Sequence, residues 1–230
     1  MNQITTEAIV LGRINYGEAD RIITMLTPEH GKLRLMAKGV RRVKSKLAGG
    51  IELFSVSTIT FVPGRGDIGT LVSTRLRKHY GSIVKDLART QLGYIVLKQI
   101  DTVTEDQPDS EYFELLEHIF DSLDSLNVSL PLVRSWFGAQ LLRLGGHMPE
   151  LQRDVNGAAL QPDASYAFDF DMMALKPAGA GKLQANHIKL LRLLFSESPP
   201  AVLAKIAGAD QLLTILDPVI ITLLREQGIV

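Results

Sequence analysis

The sequence predicts an α+β chain, in which a small five-stranded Greek-key barrel is followed by a helical region. Three observations carry that expectation. Residues up to about 78 fall into five runs rich in β-branched residues, separated by turn chemistry. From Lys78 onward apolar residues recur at helical spacing. The charge divides at nearly the same place. Residues 1–90 carry 15 Lys and Arg against 7 Asp and Glu, a net +8, and residues 91–230 carry the −8 that makes the chain neutral.

The strands follow in order. Glu7–Ile14 and Arg21–Thr27 are β-branched runs. Thr27-Pro-Glu-His-Gly31 places Pro and Gly to reverse the chain. Lys32–Lys38 then alternates, with Leu33, Leu35 and Ala37 on one face and Lys32, Arg34, Met36 and Lys38 on the other. Phe54–Val62 and Ile68–Leu76 form a hairpin, and Val43–Glu52 interrupts the third and fourth strands.

The helical pattern is clearest in Glu111–Leu123, whose stripe is Tyr112, Leu115, Leu116, Ile119, Phe120 and Leu123. Leu130–Leu144 opens with Pro131 in its first turn and stops at Gly145-Gly146. Residues 146–182 lose periodicity, and apolar contacts of Phe168, Phe170 and Leu175 are expected to hold them. His187–Phe195 resumes the helical pattern. A last helix starts near Asp210, and Asp217-Pro218 is expected to kink or restart it, because Pro lacks the amide. Two domains are expected: 1–78, and 79–230 with an irregular insertion at about 146–182.

Composition narrows the function. With 46% hydrophobic and 22% charged residues, the chain reads as an ordinary soluble protein, and no apolar run approaches the roughly 20 residues that span a bilayer. The amino terminus lacks signal-peptide character, so a cytoplasmic location is expected. Zero cysteines remove disulfides, thiol catalysis and thiolate zinc sites. His30, His79, His118, His147 and His187 are too scattered for a metal site and read as surface or packing residues. Gly64-Arg-Gly-Asp-Ile-Gly69 matches the dinucleotide fingerprint in letters, yet the residues after it favour a strand where that fingerprint needs a helix. It reads as a hairpin turn with Arg65 at its tip, within reach of phosphate. No Ser-His-Asp, Walker or zincin pattern appears, and neither an enzyme nor a cofactor is expected.

The basic residues are concentrated. From His30 to Ile51 there are seven cations (Lys32, Arg34, Lys38, Arg41, Arg42, Lys44 and Lys46) and no acid. Twenty-two residues without one carboxylate are not a mixed solvated face. A nucleic acid, with about one phosphate per 1.7 Å of duplex axis, is the partner such a row suits. Arg75, Arg77 and Lys78 add charge at the barrel's far end.

Tyr16-Gly-Glu-Ala-Asp20, Thr27, Gly31, Lys38-Gly39, Arg41-Arg42 and Ser45 together resemble the amino-terminal signature of the RecO recombination mediators. Leu142-Arg-Leu-Gly-Gly-His-Met-Pro-Glu-Leu151 is similar to that family's L-x-x-G-x-x-P-x-L segment. The resemblance implies an OB-fold barrel and a helical domain that bind single- and double-stranded DNA and anneal complementary strands. It also implies work with RecR and the single-stranded-DNA-binding protein to load RecA at gaps, on the nucleoid and away from membranes. Many members carry a four-cysteine zinc site after that segment; here Arg153 and Asn156 stand where the first pair of thiolates would be, so no metal is carried over. Two other readings remain open from the residues: a protein-interaction adaptor whose basic patch meets an acidic partner, and an RNA-binding barrel.

Overall fold

The computed structural model describes residues 2–104 and 110–229. The chain divides into two compact units, Met1–Asp124 and Ser125–Val230.

In the first unit the alternating runs close into a barrel with strand order β1-β2-β3-β5-β4, the OB-type Greek key. β1 (Ile4–Tyr16) has 13 residues and serves two neighbours. Its start pairs with β4 (Ser55–Val62), from Ile4 opposite Phe61 to Ile9 opposite Val56. Its end pairs with β2 (Asp20–Thr27), and a register shift between Val10 and Gly12 bends it from one partner to the other. β3 (Gly31–Ala37) is antiparallel to β2 and parallel to the first residues of β5 (Ile68–His79), and that pairing closes the barrel. β1 and β5 extend past their expected ends, to Tyr16 and His79. Irregular registers let such long strands coil around a small barrel. Alternation fills the interior with Val10, Ile23, Met25, Leu35, Ile59, Phe61 and Leu71.

Two helices belong to the same unit: α1 (Leu87–Val103) and α2 (Ser110–Asp124). The Asp86 carboxylate caps α1 by accepting from Arg89 N–H at 3.0 Å. Phe54 joins barrel to helices. It adopts a left-handed backbone, φ 55°, strained for a residue with a β-carbon, and its carbonyl accepts from Tyr80 N–H at 3.0 Å. Its buried ring meets Tyr94 of α1 edge-on at 5.5 Å and Phe120 of α2 at 5.6 Å. Gly93 makes this possible, since a Cβ there would lie 2.6 Å from the ring. On α2 the expected stripe is buried except Tyr112, which is half-buried, and Phe113 is buried beside it.

In the second unit α3 (Leu130–Leu144) follows its sequence signals: Ser129 accepts from Leu132 N–H, Pro131 sits in the first turn, and Gly145 caps the end. Residues without periodicity form a small sheet of β6 (Glu150–Asp154), β8 (Ala174–Pro177) and β7 (Tyr166–Asp169), in that order. Leu151, Tyr166, Leu175 and Leu183 are buried there, whereas Phe168 and Phe170 are only half-buried, their rings 5.1 Å apart. α4 (Ala185–Leu194), the short α5 (Pro200–Leu203) and α6 (Ala209–Glu226) complete the unit. α6 runs continuously through Pro218, so the expected restart does not occur. The residue before it is anchored: Arg134 forks onto the Asp217 carboxylate (3.1 and 2.5 Å), and Ser135 Oγ donates to it at 2.8 Å. Gly138 lets α3 and α6 approach closely, since a Cβ there would meet Ile220 at 2.8 Å. No helix among the described residues is long and apolar enough to cross a membrane.

Candidate nucleic-acid interface

The basic stretch after β3 is held in place by the β1–β2 turn. Gly17 turns the chain with φ 55°, and Gly39 does the same after β3 with φ 65°. The Asp20 carboxylate accepts from Gly39 N–H at 2.7 Å, and Arg41 N–H donates to the Ala19 carbonyl at 2.9 Å. The Arg41 guanidinium adds a bond to the Gly17 carbonyl at 3.3 Å. Further on, Leu47 N–H donates to Ser45 Oγ at 3.3 Å, and Thr74 Oγ1 of β5 donates to the Leu47 carbonyl at 3.2 Å. Thr27 closes the β2–β3 turn by accepting from His30 N–H and donating to the Gly31 carbonyl. Asp20, Gly39, Ser45 and Thr27 therefore build the scaffold on which the cations stand.

Arg41, Arg42, Lys44 and Lys46 are exposed on that loop, and Val43 between them has its side chain entirely in solvent. Arg34 is exposed on the outer face of β3 and Lys38 just past its end, while Leu35 and Ala37 are buried and Leu33 is half-buried. Successive outward positions on a strand are about 6.6 Å apart, so Arg34, with Lys38 two such positions further on past the strand's end, leads toward the loop. Among the described residues no carboxylate pairs with Arg34, Lys38, Arg41, Arg42, Lys44, Lys46, Arg65 or Arg75.

The other sequence-predicted cations stand differently. Lys32 is turned inward: its ammonium donates to the Asp101 backbone carbonyl at 2.7 Å, 3.5 Å from the Asp101 carboxylate, and its side chain is 14% exposed. Arg75, Arg77 and Lys78 lie near the end of β5, where it pairs with β4, rather than at its start beside β3. Arg77 faces Glu7 at 3.8 Å and Lys78 pairs with Asp121. Glu117 adds to the acidity here; burial, with Glu7 nearby, raises its carboxyl above the ordinary range. Two of the three far-end cations are thus compensated and Arg75 is not; of the remaining unpaired cations, all but Arg65 lie on β3 or the loop after it.

Arg65 sits in the exposed β4–β5 loop, with strands on both sides, as a hairpin turn requires. Beside it opens a pocket of about 360 Å³ lined by His30, Arg34, Phe61, Pro63, Gly66 and Asp67 among others. Sequence reading missed this pocket, because His30 and Phe61 lie far apart in the chain and meet only across the barrel, rings 5.9 Å apart. Its only sequence trace is the glycine-rich turn.

Residues 1–80 match the family described as Recombination protein O N terminal, and residues 85–227 match Recombination protein O C terminal. The chain belongs to the RecO family. Its relatives include proteins named DNA repair protein RecO. That of Rhodopirellula baltica is 34% identical over 149 residues, 64% of this chain and 54% of that protein. The Desulfatibacillum aliphaticivorans protein is 31% identical over 158 residues, 67% of this chain and 61% of its own length. The Halalkalibacterium halodurans protein is 28% identical over 196 residues, 82% and 76% of the two chains. The chain thus spans less than two thirds of the length of the first two of these relatives.

Within this RecO chain the clasp makes a sharp prediction. Asp20→Ala removes a negative charge beside the cations, so, if the loop meets a nucleic acid as its charge suits, Coulomb attraction alone would tighten the binding. Loss of the Gly39 bond instead leaves the loop to be ordered on binding, at about 1 kcal/mol for a single backbone residue. That cost is about fivefold and the lost charge offsets part of it, so binding weaker by roughly two- to fivefold by fluorescence anisotropy, with the rest of the fold intact by circular dichroism, is the expected result. Tighter binding would show that the clasp does not position the cations.

Proposed function

We propose that this RecO chain is a DNA repair and recombination mediator that binds single- and double-stranded DNA through β3 and the loop after it. The observation that carries the reading is the set of exposed, unpaired cations on a loop fixed by Asp20. Phosphate contact supplies affinity without reading sequence. In this division of labour residues 1–78 hold DNA and residues 79–230 meet protein partners: RecR, the single-stranded-DNA-binding protein and, through them, RecA at gaps. The chain works in the cytoplasm on the nucleoid.

Annealing follows from the same electrostatics. Two strands repel, and a surface that neutralises both lets their bases meet. Of the barrel's aromatics, Phe54 and Phe61 are buried and only Tyr16 is exposed, so most bases stay free to pair. The purified chain is expected to accelerate pairing of complementary oligonucleotides without ATP, followed by the quenching of paired fluorophores. Tight single-strand binding that slows pairing would make it a strand protector instead.

A further inference from the structure

We propose that the pocket beside β3 holds one unstacked nucleobase of single-stranded DNA, with the neighbouring phosphates on Arg34 and Arg65. This deepens the DNA-binding reading and rests on it. The pocket's volume, about 360 Å³, is within the range of small-molecule sites. Leu33 and Pro63 line it beside Leu35 and Phe61, which are themselves almost wholly buried in the barrel core, and His30 stands edge-on to Phe61.

The polar groups argue for a base over a phosphate. Of the two lysine and arginine side chains on the lining, Lys32 is already engaged by Asp101 and shielded from solvent, which leaves Arg34 as the one free to meet a phosphate of the bound nucleotide. Asp67 places a carboxylate on the lining, which repels an anion but accepts from the ring N–H and amino groups of a base. Arg65 stands outside the lining, between Gly64 and Gly66, which are on it. Arg34 pairs in register with Ile68, three residues beyond Arg65, so the two backbones are at most about 16 Å apart.

The glycines point the same way. Gly69 lies so close to β3 that a Cβ would come within 2.9 Å of the Leu35 side chain and the Val62 carbonyl, which seats the loop against the strand. Gly66 has no such reason: its φ is not left-handed, and a Cβ there meets nothing within 4 Å. It lines the pocket, and a glycine there leaves the space open. A duplex must unstack a base to use this pocket, at a few kcal/mol, whereas a single strand offers one freely. The pocket therefore prefers single strands, while the clasped loop takes both forms.

The test compares three probes with the full chain at one salt concentration: oligo-dC, an abasic deoxyribose-phosphate chain of equal length, and a duplex. The wild type is expected to bind oligo-dC about fivefold or more tighter than the abasic chain, the lower end of what one base contact contributes. Gly66→Leu, which adds a bulky side chain on the lining, is expected to abolish that preference and leave duplex affinity within about twofold. His30→Ala makes the same comparison should the leucine variant fail to fold. Equal wild-type binding of the two single strands, or variants that keep the full preference, would overturn the proposal while leaving DNA binding intact. Failure to bind any of the three probes would instead overturn the DNA-binding reading, and this proposal with it.

Discussion

Replacing Arg41, Arg42, Lys44 and Lys46 together by Ala is expected to flatten the slope of log affinity against log salt by about 3 units, at roughly 0.7–0.9 for each phosphate no longer neutralised. Between 50 and 200 mM salt the parent's affinity should therefore fall roughly 50- to 150-fold more steeply than the variant's. The barrel should survive. All four side chains are exposed, and the Arg41 guanidinium bond to Gly17 is the one side-chain bond they make to the scaffold among the described residues. Surface changes of this kind usually cost within about 0.5 kcal/mol each. Anisotropy titrations with oligo-dT across salt, beside thermal melts of both proteins, decide the matter. A variant that binds like the parent at every salt places the site elsewhere, with the unpaired Arg34, Lys38, Arg65 and Arg75 the next positions to change.

Phe120→Ala is expected to destabilise the first unit by about 3–5 kcal/mol, the usual cost of emptying a large buried aromatic site. Phe120 is wholly buried, and its ring meets Phe54 at 5.6 Å and Tyr80 at 5.3 Å. Truncating it removes the α2 side of the junction that the strained Phe54 backbone serves. The melting transition of this unit should fall by roughly 10 °C or more in calorimetry. A companion experiment uses fragments. Residues 1–124 should show a cooperative transition, whereas residues 1–78 lack Tyr80, Gly93, Tyr94 and Phe120 and leave Phe54 uncovered. A fragment of residues 1–78 that melts as cooperatively as the longer one would show that the helices are not needed. A shift of only a degree or two for Phe120→Ala would mean that the junction closes around the gap.

The barrel was legible because its evidence is local. Alternation in Lys32–Lys38 assigns a face to every residue, so Leu35 and Ala37 go in and Arg34 and Lys38 go out. Ser129, Pro131 and Gly145 mark the ends of α3 for a similar reason, since each satisfies or withholds a backbone bond within one turn. The small sheet β6–β8 was not legible. Its strands have four or five residues, too few for a period to declare itself, and they are ordered by burial of Leu151, Tyr166 and Leu175. At Pro218 the local rule expected a kink or a restart, and the tie between Asp217 and Arg134 lies 83 residues away, beyond any local pattern.

At the candidate site, the order of residues alone shows which positions are cationic, that they cluster without an acid between His30 and Ile51, and that alternation puts Lys32, Arg34 and Lys38 on one face. Charge density and alternation are properties of neighbours in the chain. Which of those cations remain uncompensated depends on folding. Lys32, Arg77 and Lys78 read as equals of Arg41 in the sequence, yet Asp101, Glu7 and Asp121 reach them only after folding. Folding also leaves the loop clasped rather than loose, and brings His30 and Phe61 to enclose a pocket with the β4–β5 turn. Electrostatic pairing and enclosure depend on distances across the fold, and those distances are set by how the barrel closes and how α1 and α2 pack upon it.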